Sequence, residues 1–586
     1  MVAMDLKQSS LLKSPQGPSP QTVVPMKLLS FILCLLPVSL AAPAVRAVAP
    51  TVTIAYPQAT LIGVAGDVET FNGVPFAQAP VGSLRLKPPQ ALTAPLGTVN
   101  ATSNGQACPQ FFFSTYVNDA IPTSVLGLLL DTPLFQTILD AGEDCLMLNI
   151  HRPAGTTANA SLPVLFWIFG GGFELGWNAM YDGAAWVTPS IAAGKPIIVV
   201  TVNYRVGGFG FLPGKEILAD GSANLGLLDQ RLGLQWVADN IADFGGDPDK
   251  VTIWGESAGA ISVLDQMVLY DGNYTYKDKP LFRAGIMNSG SIVPANLVDS
   301  AKGQTVYDTV VAAAGCSSAS DTLECLREVP YETLLNATNS VSGILSYTSV
   351  ALNYIPRPDG TVLTDSPEVL VEAGKYAPVP FIVGDQEDEG TIFALFQSNI
   401  TTIDQLVTYL QTIFFNDATT AQIQDLVATY PDITTDGSPF RTLDLNNWYP
   451  QYKRLAAILG DLTFTLTRRI LLALTSSVNP TVPSWSYLSS YDYGTAILGT
   501  FHASDILQIF FGIVPDYASE ATYAYYLSFI YELDPNENTT GYPNWPQWAG
   551  SQELMNLYAT DGVTLADDFR NDTYDFLTAN IASLYI

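Results

Sequence analysis

The feature that most constrains this chain is a set of five short runs that are nearly continuous in apolar and β-branched residues: 164–169, 197–203, 251–254, 284–287 and 381–383. A strand that faces solvent on one side alternates apolar with polar; a strand without alternation is covered on both faces. Helical spacing fills the intervals, as at 227–240 and 260–269. Buried strands alternating with helices predict an α/β protein with a large, mostly parallel central sheet flanked by helices. At 586 residues the length allows several domains. No Gly/Ser linker, charge run or internal repeat divides residues 49–586, so we read them as one catalytic domain.

Composition narrows the function. Apolar residues make up 48% and charged residues 14%, which predicts a large core and not disorder. A net charge of -30 argues against nucleic acid as a partner, because phosphates are repelled. Two histidines are too few for a His-rich metal site. The first 25 residues are polar; Met26 and Lys27 then lead into an apolar run over 28–42 and small residues up to Ala49. One basic residue, a short apolar run and a small-residue exit read as a secretory signal. The run falls short of the roughly 20 residues that a membrane span needs. Residues 1–48 are therefore expected to be an N-terminal extension with signal peptide, with translation starting at Met1 or Met26. No stable membrane span is expected in the mature chain.

Export makes the cysteines readable. Cys34 leaves with the signal, and proximity pairs Cys108 with Cys145 and Cys316 with Cys325. Seven Asn-x-Ser/Thr sites fit the same route: Asn100, Asn159, Asn273, Asn336, Asn399, Asn538 and Asn571.

The chemistry starts at Gly255-Glu256-Ser257-Ala258-Gly259, a G-x-S-x-G between a strand-like and a helix-like segment. Glycines permit a sharp strand-to-helix turn that lifts the serine hydroxyl out of the sheet, beside the free N–H groups of a helix start. A serine nucleophile needs a histidine base. His151 ends an extended run upstream and reads as a strand residue; His502 lies in a loop downstream. Only His502 satisfies the order nucleophile, acid, base. The acid belongs between them, after a strand. Strand 381–383 leads into Asp385, Glu387, Asp388 and Glu389, and spacing alone does not choose among the four. Gly170-Gly171-Gly172 follows another buried strand and lets backbone approach a substrate oxygen, with the N–H of Ala258 as a second donor. No G-K-[ST] follows these glycines, which argues against a phosphate loop.

These residues resemble the type-B carboxylesterase/lipase family, the cholinesterase-like branch of the α/β-hydrolases, and more closely its secreted Candida rugosa-type lipases and sterol esterases. The resemblance spans 49–586. It is carried by Pro80-Val81-Gly82 with Arg85, Glu143-Asp144-Cys145-Leu146, Gly170-Gly171-Gly172-Phe173 and Asn203-Tyr204-Arg205, and it continues through Gly226-Leu227-Leu228-Asp229-Gln230, Gly245-Gly246-Asp247-Pro248, the Ser257 motif, Glu387-Asp388-Glu389-Gly390 and Gly499-Thr500-Phe501-His502. It implies Ser257, Glu389 and His502 as the triad, and Gly171, Gly172 and Ala258 as oxyanion donors. Phe169 stands where many relatives carry His before the glycines; the yeast-type lipases lack that His too. The same resemblance agrees with the two disulfides, implies a structural Arg85–Glu143 ion pair and calls for no cofactor or metal.

The substrate class is read from apolar surface. The loop closed by Cys108 and Cys145 holds Phe111, Phe112, Phe113, Tyr116, Ile121, Val125, Leu126, Leu128, Leu129, Leu130, Leu134, Phe135, Ile138 and Leu139. That is rich for an exposed loop, and it predicts a lid with an amphipathic helix over 124–139. Phe173, Val293, Pro294, Phe393 and Phe415 are candidates for an acyl-binding wall. Together they predict a secreted esterase acting on lipid esters at an oil–water interface, triacylglycerols first and sterol esters second. The same lid is a candidate surface for pairing two chains. The alternatives are a carboxylesterase for soluble esters and, from a different class, a non-catalytic adhesion protein. The complete triad argues against the latter.

Overall fold

The computed structural model describes residues 48–112, 140–492 and 494–586. The lid helix expected over 124–139, and the pairing surface expected with it, fall on 113–139 and lie outside the described residues.

A ten-stranded sheet forms the centre. Its strands in chain order are β1 (Val68–Pro75), β2 (Met147–Pro153), β3 (Leu162–Ile168), β4 (Ile198–Val202), β5 (Gly246–Glu256), β6 (Ala284–Asn288), β7 (Phe381–Gln386), β8 (Ser484–Ser489), β9 (Glu553–Leu557) and β10 (Gly562–Ala566). The spatial order is 10-9-8-7-6-5-3-4-2-1. From β4 across to β9 every pairing is parallel; β1–β2, β2–β4 and β9–β10 are antiparallel. All five apolar runs are central strands of this sheet. Ile198–Val202 is buried at every position, as expected where helices cover both faces. A small separate sheet pairs Thr51–Ala55, Gln58–Ile62 and Gly97–Asn100.

Helices Leu225–Asn240 and Ala258–Gly272 follow the two expected helical patterns. The chain from β3 crosses to β4 on one side and returns to β5 on the other. Such a reversal opens a crevice beyond the carboxyl ends of the strands, where ligands of open α/β sheets bind. The loops leaving β3, β5 and β7 carry the triple glycine, Ser257 and the acidic cluster.

Both disulfides form as expected, Cys108–Cys145 and Cys316–Cys325. Arg85 grips Glu143 with two hydrogen bonds, Nε to Oε1 at 2.6 Å and Nη2 to Oε2 at 2.7 Å. Its third nitrogen donates to the carbonyls of Arg327 and Val329, so the pair ties the Cys145 segment to the second disulfide's helix. All seven glycosylation motifs have an exposed asparagine.

Candidate active site

Ser257 sits in the one-residue turn between β5 and its helix, at φ 57° and ψ -126°. That conformation is strained for a residue with a Cβ, and strain of this kind persists only where the surroundings impose it. The flanking glycines show how. A Cβ on Gly255 would lie 2.3 Å from Gly259, and one on Gly259 would lie 2.1 Å from the carbonyl of Ile168. The motif's glycines are spaces through which strand, turn and helix touch. The Ser257 N–H donates to the carbonyl of Asn288 at the end of β6, at 2.9 Å.

His502, the expected base, stands in a loop just before helix Ser504–Ile509. His502 Nδ1 lies 2.5 Å from Glu389 Oε2. The other oxygen of Glu389 accepts from the backbone N–H of Gln386 at 2.7 Å. A carboxylate at Nδ1 places the proton there and leaves Nε2 as the bare nitrogen. The imidazole packs between Phe464 and Phe393, at ring distances of 4.6 and 5.0 Å.

The structure assigns all four acids of the crowded loop. Asp385 pairs with the fully buried Arg468 at 2.8 Å. Glu387 pairs with Arg441. Asp388 accepts from Ser438 Oγ and from the N–H groups of Phe440 and Thr500, and its own N–H donates to the Thr500 carbonyl. Asp388 therefore stitches the acid loop to the base loop, and Glu389 alone faces His502. His151 lies inside β2, 3.4 Å from Asp182, and lines neither cavity described below.

The triple glycine turns sharply after β3, with φ 103° at Gly171, 62° at Gly172 and 58° at Phe173. A Cβ on Gly170 would stand 2.5 Å from the Glu256 carbonyl and 2.8 Å from Ser257 Cβ, so the loop lies against the nucleophile. The motif residues upstream and downstream hold it there. Tyr204 donates to the Phe169 carbonyl at 2.7 Å and stacks on the Phe169 ring. Arg205 is clamped bidentately by Asp229, both bonds at 2.8 Å.

Two apolar cavities meet at Ser257. The first is walled by Gly172, Phe173, Ala258, Val293, Phe464 and Ile586, among others. The second is walled by Gly171, Met180, Tyr181, Glu256, His502 and Ala503, among others. Ile344 and Phe393 border both. Of the residues expected at an acyl wall, Phe173, Val293 and Phe393 line these cavities. Pro294 and Phe415 are not among the lining residues. Pro294 is buried and its carbonyl accepts from Ile586 N–H. Phe415 is 2% exposed and packs on Phe414 in the core. Sequence reading missed Ile344, which lies in an irregular loop without periodicity, and Phe464 and Ile586, which are remote in sequence from every motif.

It also missed Glu256, the variable position of G-x-S-x-G. Its Oε1 is 3.3 Å from His502 Nε2. Burial, opposed by His502 and reinforced by Asp505 and Glu389, pushes the Glu256 carboxyl up to about 8. Burial would depress His502, but Glu389 and Glu256 overcome it and hold the imidazole up at about 9. The second cavity thus presents a serine hydroxyl, an imidazole and a carboxyl at one apolar mouth.

Comparison with known proteins agrees with this geometry. The carboxylesterase family model matches residues 52–577. The chain is 70% identical to "Secreted lipase 1" of Botryotinia fuckeliana, over 92% of this chain and 95% of that one. It is 57% identical to "Secreted triacylglycerol lipase LIP1" of Gibberella zeae, over 94% of each, and 46% identical to "Lipase 4" of Diutina rugosa, over 92% and 98%. Among solved structures, EstA of Aspergillus niger superposes with a TM-score of 0.76 at 27% identity, covering 92% of this chain and 99% of that one. A match that spans nearly all of the chain, the strand–turn–helix that bears Ser257 included, makes this protein a member of the carboxylesterase family.

Proposed function

We propose that this chain is a secreted lipase that cleaves the ester bonds of triacylglycerols, and of sterol esters as a second class, through an acyl-enzyme on Ser257. Residues 49–586 are the catalytic domain in this reading, and 1–48 carry the export signal. The observation that carries it is the Ser257 turn at the junction of two apolar cavities, one of them lined by a His502 whose far nitrogen is held by Glu389.

The chemistry follows from which group lines which cavity. His502 Nε2 takes the Ser257 proton as the hydroxyl attacks the ester carbonyl. Glu389 keeps the imidazole oriented and stabilises its positive charge. The N–H groups of Gly171, Gly172 and Ala258 receive the developing oxyanion, each donor in such sites being worth about 2.7–4 kcal/mol. His502 then protonates the departing alcohol, so the cavity that His502 lines takes the alcohol. The acyl chain lies in the other, between Phe173, Val293, Phe464 and Ile586. Water activated by His502 releases the acid. No step requires a cofactor or a metal.

Export is supported by the two disulfides, the seven exposed glycosylation motifs and the names of the relatives. Apolar walls on both sides of Ser257 favour fatty acyl esters over small polar ones. Pairing of two chains through the lid face belongs to the same reading; a scattering mass that rises from one chain to two with concentration supports it, and a constant monomer mass removes it. The deciding test of the lipase reading follows hydrolysis against tributyrin concentration through its solubility limit, with Ser257→Ala as control. A jump in rate when droplets form is expected. A smooth saturating curve below the limit makes the protein a soluble-ester carboxylesterase instead, and activity equal to that of Ser257→Ala throughout rejects both.

A further inference from the structure

Asn288 ends β6 beside Glu256, the last residue of β5, in parallel register. It is 1% exposed. Its backbone carbonyl accepts the Ser257 N–H at 2.9 Å, the hydrogen bond that fixes the strained nucleophile from the sheet side. Its side chain makes three more bonds. Oδ1 accepts from Trp254 Nε1 and from Tyr526 OH, both at 2.9 Å. Nδ2 donates to Asp505 Oδ2 at 2.8 Å.

The direction of this relay is set by chemistry. An indole N–H can only donate, so the oxygen of the amide must face Trp254, and the amide nitrogen is left to donate to Asp505. Asp505 lies three residues after His502, 8% exposed. Its other oxygen accepts from the Ile506 N–H at 2.9 Å, which anchors it to the first turn of its helix. Residue 288 therefore reaches both reacting ends at once, the serine through its carbonyl and the histidine segment through its amide. The bond to Ser257 belongs to the backbone; the side chain itself joins Trp254, three residues before Ser257 on β5, to Asp505, three residues after His502.

We propose that Asn288 is a positioning residue for ester cleavage, its side-chain amide locking the end of β5, just ahead of the Ser257 turn, to the segment carrying His502. This rests on Ser257 and His502 being nucleophile and base. The relay also bears on charge. Asp505 is faced by His502, Glu389 and Glu256, and by Tyr487, Tyr491 and Tyr526 from neighbouring elements. Burial raises its carboxyl while the Asn288 amide opposes that rise.

The test compares two variants with wild type on a soluble p-nitrophenyl ester, with folding checked by near-UV circular dichroism and Ser257→Ala as the triad control. Asn288→Leu strands the three partners; kcat should fall at least about tenfold, with KM changed less than about threefold. Asn288→Asp separates positioning from packing. A carboxyl there still accepts from Trp254 and Tyr526, and it donates to Asp505 only while the two acids share a proton. Its kcat relative to wild type should therefore be near one at about pH 6 and fall below roughly one-tenth by about pH 9. A loss in Asn288→Asp that is the same at every pH, or a folded Asn288→Leu with kcat within about twofold of wild type, overturns the proposal. Activity surviving in Ser257→Ala would instead overturn the triad reading on which it rests.

Discussion

Replacing Glu256 by Gln should move the pH dependence of the reaction, and the structure sets the direction. His502 must be bare at Nε2 to take the serine proton, so the rate rises with pH through the imidazole's titration. Burial pulls that titration down, and Glu389 and Glu256 together lift it to about 9. Glu256 stands 3.3 Å from Nε2, where a unit charge is worth roughly 5 kcal/mol at an effective dielectric of about 20. At about 1.4 kcal/mol per pK unit that is more than three units. Glu256 itself ionises only around 8, so it is neutral over the lower part of the range and only part of that energy is felt. The expected outcome is an acid limb lowered by about one unit, hence about fivefold more activity one unit below the wild-type midpoint and about tenfold at lower pH. The assay is kcat/KM on a soluble p-nitrophenyl ester between about pH 5 and 10, because a water-soluble substrate separates the titration from lipid binding. An acid limb that stays in place, or moves up, refutes the assignment of Glu256 as a holder of charge on His502.

Two further outcomes follow from local geometry. Gly172→Ala places a Cβ 2.6 Å from Ile344 Cδ1 at a backbone φ of 62°; the flexible Ile344 tip can yield, so the variant should fold, but a shifted oxyanion loop should lower kcat at least about tenfold, and a kcat within about twofold of wild type would remove this loop from the reaction. Asp265 is buried in the nucleophile's helix with neither carboxylate oxygen hydrogen-bonded among the described residues, and burial pushes it up to about 8. Its folded value lies above an unfolded value of about 3.9, so its share of stability is whole below that and is lost progressively as pH rises toward 8, by roughly 4 kcal/mol at about pH 7. Asp265→Asn should therefore melt increasingly above wild type as pH is raised from about 4 to 7; a melting difference independent of pH contradicts the buried neutral acid.

How far the sequence could be read depended on whether a residue's role is local. The Ser257 turn is local: a Cβ on either flanking glycine would lie 2.1–2.3 Å from neighbouring backbone, so no other residue type fits at 255 or 259. The five buried strands are local too, since absence of alternation states burial on both faces. The acid was not local. Asp385, Glu387, Asp388 and Glu389 are chemically alike, and each is decided by a partner far along the chain: Arg468, Arg441, the Thr500 and Phe440 amides, and His502. Only the family resemblance selected Glu389. The residues expected at an acyl wall divided for a related reason. Apolar residues serve core and cavity equally, so Phe393 and Phe415 look the same in sequence, yet one packs on His502 and the other on Phe414.

The least legible layer is the electrostatic one, and it governs the pH at which the chemistry runs. A triad named from motifs says that His502 accepts a proton, but not at what pH. That depends on Glu256, a position the motif leaves free, and on Asp505, whose charge is steadied by an amide more than two hundred residues upstream. Each of these acids is buried, so each charge acts through a medium of low polarity in which a few ångströms decide the outcome. In the proposed reaction the motif residues fix which bond is broken, and the neighbours of His502 fix the pH at which it breaks. Variation at positions 256, 288 and 505 should therefore separate relatives by pH dependence while leaving the reaction unchanged, and variation at 344, 464 and 586 should separate them by ester.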